Sequence, residues 1–279
     1  VRLLVSNVID YKGQVFFQKN ALVRVPIRLG QDAFTKGEIS KKNIGRIIKS
    51  MMAFRLLMKV RGVEDYLAFA TSALRGAKNY SQVVERVFNK SKIQIEIIDG
   101  KKEAKIISNT NVFENIDIEK TFLCIDVGGG STEISILKGG KRLNSNSFKI
   151  GTVRLLNKDF DQRIWNQLEI WVKKHTKIYS KVYLLGTGGN INKLHKISNV
   201  KDNRPITFLT LNLIYNKLNE LTYEERIIDL GLNPDRSDVI IPATKLFLKI
   251  FEWSGAKVIY VPKVGLSDGM IRELYKNKN

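Results

Sequence analysis

The sequence predicts an α/β fold. Three observations carry that expectation. Short apolar runs with strand patterning alternate with longer stretches at helical spacing. Glycine-rich turns follow several of those runs, and neither a fixed-period repeat nor a low-complexity linker interrupts the alternation.

Two extended segments open the chain, Leu3–Ile9 and Val15–Val25, joined by a hairpin turn at Asp10-Tyr11-Lys12-Gly13. Thr35-Lys36-Gly37-Glu38 reads as a capping box. The stretch Ile39 to Val60 behind it places Ile44, Ile47, Ile48, Met51, Met52 and Leu56 at helical spacing, which predicts an apolar core face. Tyr66–Ala70 reads as a short strand and Thr71–Arg75 as a loop. Asn79–Asn89 reads as a helix and Ile93–Ile98 as a strand. Thr121–Val127, Ser131–Leu137 and Leu143–Ile150 form an expected meander, its first turn made by Gly128-Gly129-Gly130. Further on, Gln162–Tyr179 reads as a helix and Val182–Leu185 as a strand. Ile191–Lys196, Leu211–Leu221 and Thr222–Leu230 read as helices, the last with a Thr222–Glu225 capping box. Asp238–Trp253 is a long apolar helix, Val258–Val261 a strand and Leu266–Lys276 a last helix. The pattern restarts near Thr121. This suggests domains 1–120 and 121–279, the last helix packing back on the first domain, with a ligand cleft between the halves.

The chain has 279 residues, 43% hydrophobic and 27% charged, which is ordinary globular usage and excludes a disordered, collagen-like or disulfide-stapled protein. Net charge is +20. Residues 1–125 carry 22 Lys+Arg against 12 Asp+Glu, and the rest 25 against 15, a net +10 in each part. A diffuse positive excess favours polyanions; a merely solvated basic surface is the plainer reading. With one cysteine, Cys124, in an apolar run and two histidines, His175 and His195, a zinc site is not expected. His175, beside Lys173 and Lys174, reads as part of a solvated helix face. No apolar run reaches the ~18 residues of a membrane span, so a cytoplasmic protein without membrane contact is expected. Val1–Val5 reads as the second half of a strand, so the natural start is expected upstream.

The chemistry concentrates in four segments. In Ile125-Asp126-Val127-Gly128-Gly129-Gly130-Ser131-Thr132-Glu133, a strand delivers a carboxylate to three glycines whose backbone N–H groups approach an anion closely. Ser131 and Thr132 add hydroxyls. Asp126 and Glu133 flank the loop and suit Mg²⁺. A strand follows, so the loop is not a P-loop; the plain alternative is a glycine hairpin with solvated ends. Leu185-Gly186-Thr187-Gly188-Gly189-Asn190 is a second glycine turn, ahead of a helix start that favours phosphate. In Ile98-Asp99-Gly100-Lys101-Lys102-Glu103, Glu103 reads either as a helix-start carboxylate or as a general base for water. In Ala70-Thr71-Ser72-Ala73-Leu74-Arg75, Ser72 and Arg75 suit an anion. Arg236 reads equally as a structural helix-start arginine paired to Asp238.

These residues resemble the exopolyphosphatase/guanosine-pentaphosphate phosphatase (Ppx/GppA) family. The matching segments are ATSALRGAKN at 70–79, IDGKKEA at 98–104, IDVGGGSTE at 125–133, GTVRL at 151–155, LLGTGGNI at 184–191, GLNPDRSDVIIPA at 231–243 and GLSDGM at 265–270. They stand in the family's order along nearly the whole chain. The resemblance implies two actin-like, ribonuclease H-like α/β domains with an active cleft between them. It implies Glu103 as the carboxylate that activates water and Arg75 with Ser72 as phosphate contacts. Gly128, Gly129, Gly130, Ser131, Thr132, Gly188 and Gly189 are implied as phosphate loops, and Asp126 and Glu133 as Mg²⁺ carboxylates. The implied reaction removes a terminal phosphate from polyphosphate or guanosine pentaphosphate. A non-catalytic binder of polyphosphate or alarmone (guanosine penta- or tetraphosphate) is the alternative. A homodimer is compatible by analogy, and no nucleic-acid motif is present. Two departures stand out. The family's opening strand and Asp-Ile-Gly-Ser-Asn-Ser loop are not in the sequence, an absence expected to reflect a clipped start. Lys102-Glu103 also replaces two adjacent acids.

Overall fold

The computed structural model describes residues 1–108, 110, 119–157 and 161–278. The chain forms two compact units. One comprises Val1–Thr110 with Gly265–Asn279, and the other Asn111–Val264.

The first unit opens with the antiparallel hairpin β1 (Arg2–Tyr11) and β2 (Gln14–Arg24). Lys12 and Gly13 turn it with φ of 52° and 75°, the left-handed pair that a two-residue hairpin requires. Then follow α1 (Leu29–Thr35), α2 (Lys41–Val60), β3 (Phe69–Ala70), α3 (Ser72–Arg75), α4 (Tyr80–Ser91), β4 (Glu96–Ile97) and α5 (Gly100–Ser108). β3 and β4 pair in parallel as a separate two-stranded sheet. Ile44, Ile47, Met51 and Phe54 of α2 share the core with Val83 and Val87 of α4. A cavity of about 870 Å³ is lined by Leu3 and Val5 of β1, Met51 and Phe54 of α2, and Ala70 of β3.

Several expectations in this unit are corrected. Thr35 does not open a capping box. It ends α1, its hydroxyl donating to the Gln31 carbonyl. The cap of α2 is Ser40, whose Oγ accepts from the Asn43 N–H at 3.3 Å while Asp32 holds it from behind. Met52 and Leu56 are 45% and 65% exposed. The buried stripe runs 44, 47, 51, 54, and at 100° per residue both fall off it. The segment expected as a loop, 71–75, is extended only at Thr71 and helical from Ser72.

The second unit is built on a six-stranded sheet in the order β7-β6-β5-β8-β10-β9. Its elements are β5 (Phe122–Val127), β6 (Thr132–Lys138), β7 (Lys141–Phe148), α6 (Thr152–Leu156), α7 (Gln162–Thr176), β8 (Tyr183–Thr187), α8 (Gly189–Ile197), β9 (Ile206–Thr207), α9 (Phe208–Glu220), α10 (Tyr223–Ile228), α11 (Pro234–Ser237), α12 (Ile240–Ser254) and β10 (Val258–Tyr260). β5, β6 and β7 form the expected antiparallel meander, while β8 runs parallel to β5 and to β10. Apolar residues on nearly every side of α12, including Ile240, Phe247 and Phe251, bury it against the sheet's core cluster. The capping box of α10 is present: the Thr222 N–H donates to Glu225 Oε2 at 2.7 Å and the Glu225 N–H to Thr222 Oγ1 at 3.2 Å.

His175 is not simply solvated, since its ring stacks on Trp171 at 4.2 Å. His195 is 3% exposed and its Nε2 lies 3.2 Å from the Arg204 carbonyl. Burial pushes the Cys124 thiol well above its ordinary range. The chain closes with α13 (Leu266–Lys278), which returns to the first unit and packs on α5 and β1. Among the described residues, no helix is long and apolar enough to cross a membrane.

Candidate functional site

Antiparallel pairing sets Asp126 opposite Glu133 and Val127 opposite Thr132, so the glycine turn between β5 and β6 begins at Gly128. The Gly128 N–H donates to the Ser131 carbonyl at 2.9 Å and closes the turn. The three glycine carbonyls all point to α6. Gly128 O accepts from the Thr152 N–H at 3.0 Å, Gly129 O from the Val153 N–H at 2.8 Å, and Gly130 O from Arg154 Nε at 3.0 Å. A Cβ at Gly151 would stand 2.6 Å from Gly129 C and from Gly130 N, so only glycine lets α6 approach the loop. Thr132, expected as a hydroxyl donor to phosphate, is fully buried and donates to the Ile150 carbonyl at 2.7 Å. Its side chain tethers the loop, because its one proton is committed there. Ser131 is 4% exposed.

The second glycine turn is fastened to the first. Thr187 Oγ1 donates to Asp126 Oδ2 at 3.1 Å, and Asn190 Nδ2 to the Val127 carbonyl at 3.2 Å. Gly188 has φ 91°, the left-handed region that favours glycine, and a Cβ there would lie 2.6 Å from Asp126 Oδ1. α8 starts at Gly189, whose carbonyl accepts from the Arg236 guanidinium. Lys193 donates to the Leu230 and Gly231 carbonyls, each at 2.9 Å. Burial lowers its pKa, and the like charges of Lys196 and Arg236 lower it further. Lys193, Lys196 and Arg236 thus gather positive charge about α8.

Asp126 and Glu133 occupy directly opposed positions on adjacent strands, which brings their Cβ atoms to about 5 Å on one sheet face. Glu133 is 4% exposed and its Oε1 accepts from Ser147 Oγ at 2.8 Å. Among the described residues, no group of three or more His, Cys, Asp or Glu could cage a metal. Mg²⁺ takes one or two carboxylates and completes its octahedron with water and phosphate oxygens. The carboxylate pair beside the glycine turns fits such an ion.

The first unit holds the other expected residues. Asp99 Oδ1 accepts from the Lys102 N–H at 2.7 Å and caps α5, which fixes Glu103 in its first turn. Arg75 Nη1 donates to the Ile98 carbonyl and stands 3.9 Å from Glu103 Oε2. Ser72 is the first residue of α3, half-buried. Within this unit Arg75 and Glu103 are therefore neighbours. Within the other, Asp126, Glu133 and both glycine turns come together. Sequence reasoning missed Ser147, Arg154 and the ties made by Thr187 and Asn190. One signal was available: a triple-glycine turn exposes carbonyls that need donors, and a Gly-Thr-Val-Arg segment follows two strands later.

The family model described as "Ppx/GppA phosphatase family" matches residues 8–278. The chain is 28% identical to a Bifunctional 3-dehydroquinate synthase/phosphatase of Fusobacterium nucleatum, over 99% of this chain and 45% of that protein. It is 23% identical to a Guanosine-5'-triphosphate,3'-diphosphate pyrophosphatase of Photobacterium profundum, over 92% of this chain and 54% of that protein. It thus spans about half the length of these curated relatives. The solved structure of an exopolyphosphatase from Cytophaga hutchinsonii superposes with a TM-score of 0.87 at 21% identity, covering 99% of this chain and 94% of that one. That likeness shows the fold.

Proposed function

The chain belongs to the Ppx/GppA phosphatase family, and from that premise we propose that it removes the terminal phosphate of inorganic polyphosphate, with water as acceptor. The observation that carries this reading is the pair of glycine turns fastened together around Asp126. Such turns present backbone N–H groups to an anion without intervening side chains. Asp126 and Glu133 would hold Mg²⁺, which supplies positive charge to the phosphate oxygens when bound. Loop N–H groups and Arg75 orient the terminal phosphoryl group and stabilise its charge. Glu103 accepts a proton from water as the water oxygen attacks phosphorus. The bond from phosphorus to the bridging oxygen breaks, and that oxygen leaves with the shortened chain. The net charge of +20, spread over the whole chain, favours a long polyanion.

Likeness to the Photobacterium protein supports guanosine pentaphosphate as a second substrate reading. Phosphate release on long-chain polyphosphate and on guanosine pentaphosphate, in parallel and with Mg²⁺, tests both. We expect release from polyphosphate. Glu103→Gln should lower it at least about 100-fold, since general-base catalysis contributes 10²–10⁴. Release from guanosine pentaphosphate alone would replace the substrate. No release from either by the folded chain would leave a phosphate-binding relative.

A further inference from the structure

We propose that α6 and the side chain of Arg154 form a lock on peptide orientation, which makes Arg154 a positioning residue for the reaction. The inference rests on the phosphate-loop reading above but reaches a residue outside the loop.

Every peptide bond in the described chain is trans. In a planar trans peptide the C=O and the next residue's N–H point in opposite directions. The carbonyls of Gly128, Gly129 and Gly130 are all drawn to α6. The N–H groups of Gly129, Gly130 and Ser131 consequently all point away from α6, as a set of three anion donors. Glycine peptides rotate with little steric resistance, so a triple-glycine loop does not hold that arrangement by itself. The first-turn N–H groups of a helix lack intrahelical acceptors, and here those of Thr152 and Val153 take the first two carbonyls. The third carbonyl, Gly130 O, is held by a charged side chain, and a charge-assisted hydrogen bond is roughly twice as strong as a neutral one. Gly151 allows this contact, because a Cβ there would strike the loop backbone. Arginine near a phosphate loop commonly grips phosphate itself; here Nε grips the loop, and the Ser131 N–H grips the phosphate.

Arg154→Met removes the donor and keeps the aliphatic stem. Three readouts test the lock on the whole chain: the ¹⁵N order parameter of the Ser131 amide without ligand, calorimetric binding of inorganic triphosphate, and kcat and KM for phosphate release. We expect the Ser131 order parameter to fall from about 0.85 toward 0.6. We also expect triphosphate to bind at least about tenfold more weakly and kcat/KM to fall at least about tenfold, short of the 10²–10³ for a deleted donor. Order parameters in β5, β6 and β8 should not change. Arg154→Lys keeps the charge without the Nε donor and should recover only part of the loss. If Arg154→Met fails to fold, the same three readouts on Arg154→Lys decide. Ser131 order and triphosphate affinity within twofold of the wild type would overturn the lock. A wild type that releases no phosphate would instead sink the hydrolase reading, and the order and binding measurements would still judge the lock.

Discussion

Asp32 is 7% exposed, yet its task is to hold the start of α2. It accepts from the Ser40 N–H at 3.0 Å, the Ser40 hydroxyl at 2.5 Å and Asn43 Nδ2 at 2.7 Å. Burial pushes its carboxyl pKa up, but the bonds from Ser40 and Asn43, with nearby Lys36, outweigh that and hold it below its ordinary 3.8. A carboxylate with a depressed folded pKa adds stability that is complete above the unfolded value and is lost as pH falls through the folded one. Urea unfolding should therefore show a loss of stability below about pH 4 that Asp32→Asn reduces. At pH 7 that variant should be about 1–2 kcal/mol less stable. Parallel pH curves for the two proteins would refute this role. No local sequence signal marks Asp32, because its partners lie 8 and 11 positions later. Thr35 and Glu38 had the spacing of a capping box, but Thr35 belongs to α1, whose last turn takes its hydroxyl.

At the scale of elements, close approach decides where glycine is essential. Gly269 brings α13 onto α5, and a Cβ there would lie 2.6 Å from Ile106 Cγ2 and 2.8 Å from Ile106 C. Backbone cannot yield as a side-chain tip can. Gly269→Ala should therefore cost about 1–3 kcal/mol in chemical denaturation. Gly45, inside α2, has nothing within 4 Å of a built Cβ, so Gly45→Ala should stabilise by about 0.5–1 kcal/mol. The same sign for both would contradict this packing account. Long periodic elements were legible: α2, α4, α7, α12 and the β5–β6–β7 meander all lie where their patterns put them. Several of the shortest were not. α1, α3 and α11 have four to seven residues, too few to show a period. β3 and β4 pair over only two residues each, so their longer apolar runs overstated them.

At the scale of the molecule, the first unit opens on an antiparallel hairpin and the second on a three-stranded antiparallel meander, and each also holds a parallel pair, β3 with β4 and β5 with β8. The residue types of the candidate site were legible as a local pattern: a buried strand carrying Asp126 runs into three glycines, as an anion-binding turn would. The fastenings were not: Thr187 to Asp126 spans 61 positions and Arg154 to Gly130 spans 24, and such ties exist only once the sheet has formed. Receipt of a terminal phosphate by these loops is the step on which the proposed hydrolysis rests. It is tested most directly by titrating inorganic triphosphate with Mg²⁺ into the ¹⁵N-labelled chain and following the backbone amides. A phosphate held by both loops should shift Gly129, Gly130, Ser131, Gly188 and Gly189 together on one saturating curve. Shifts confined to exposed lysines such as Lys173 and Lys174, with the loop amides unmoved, would contradict it.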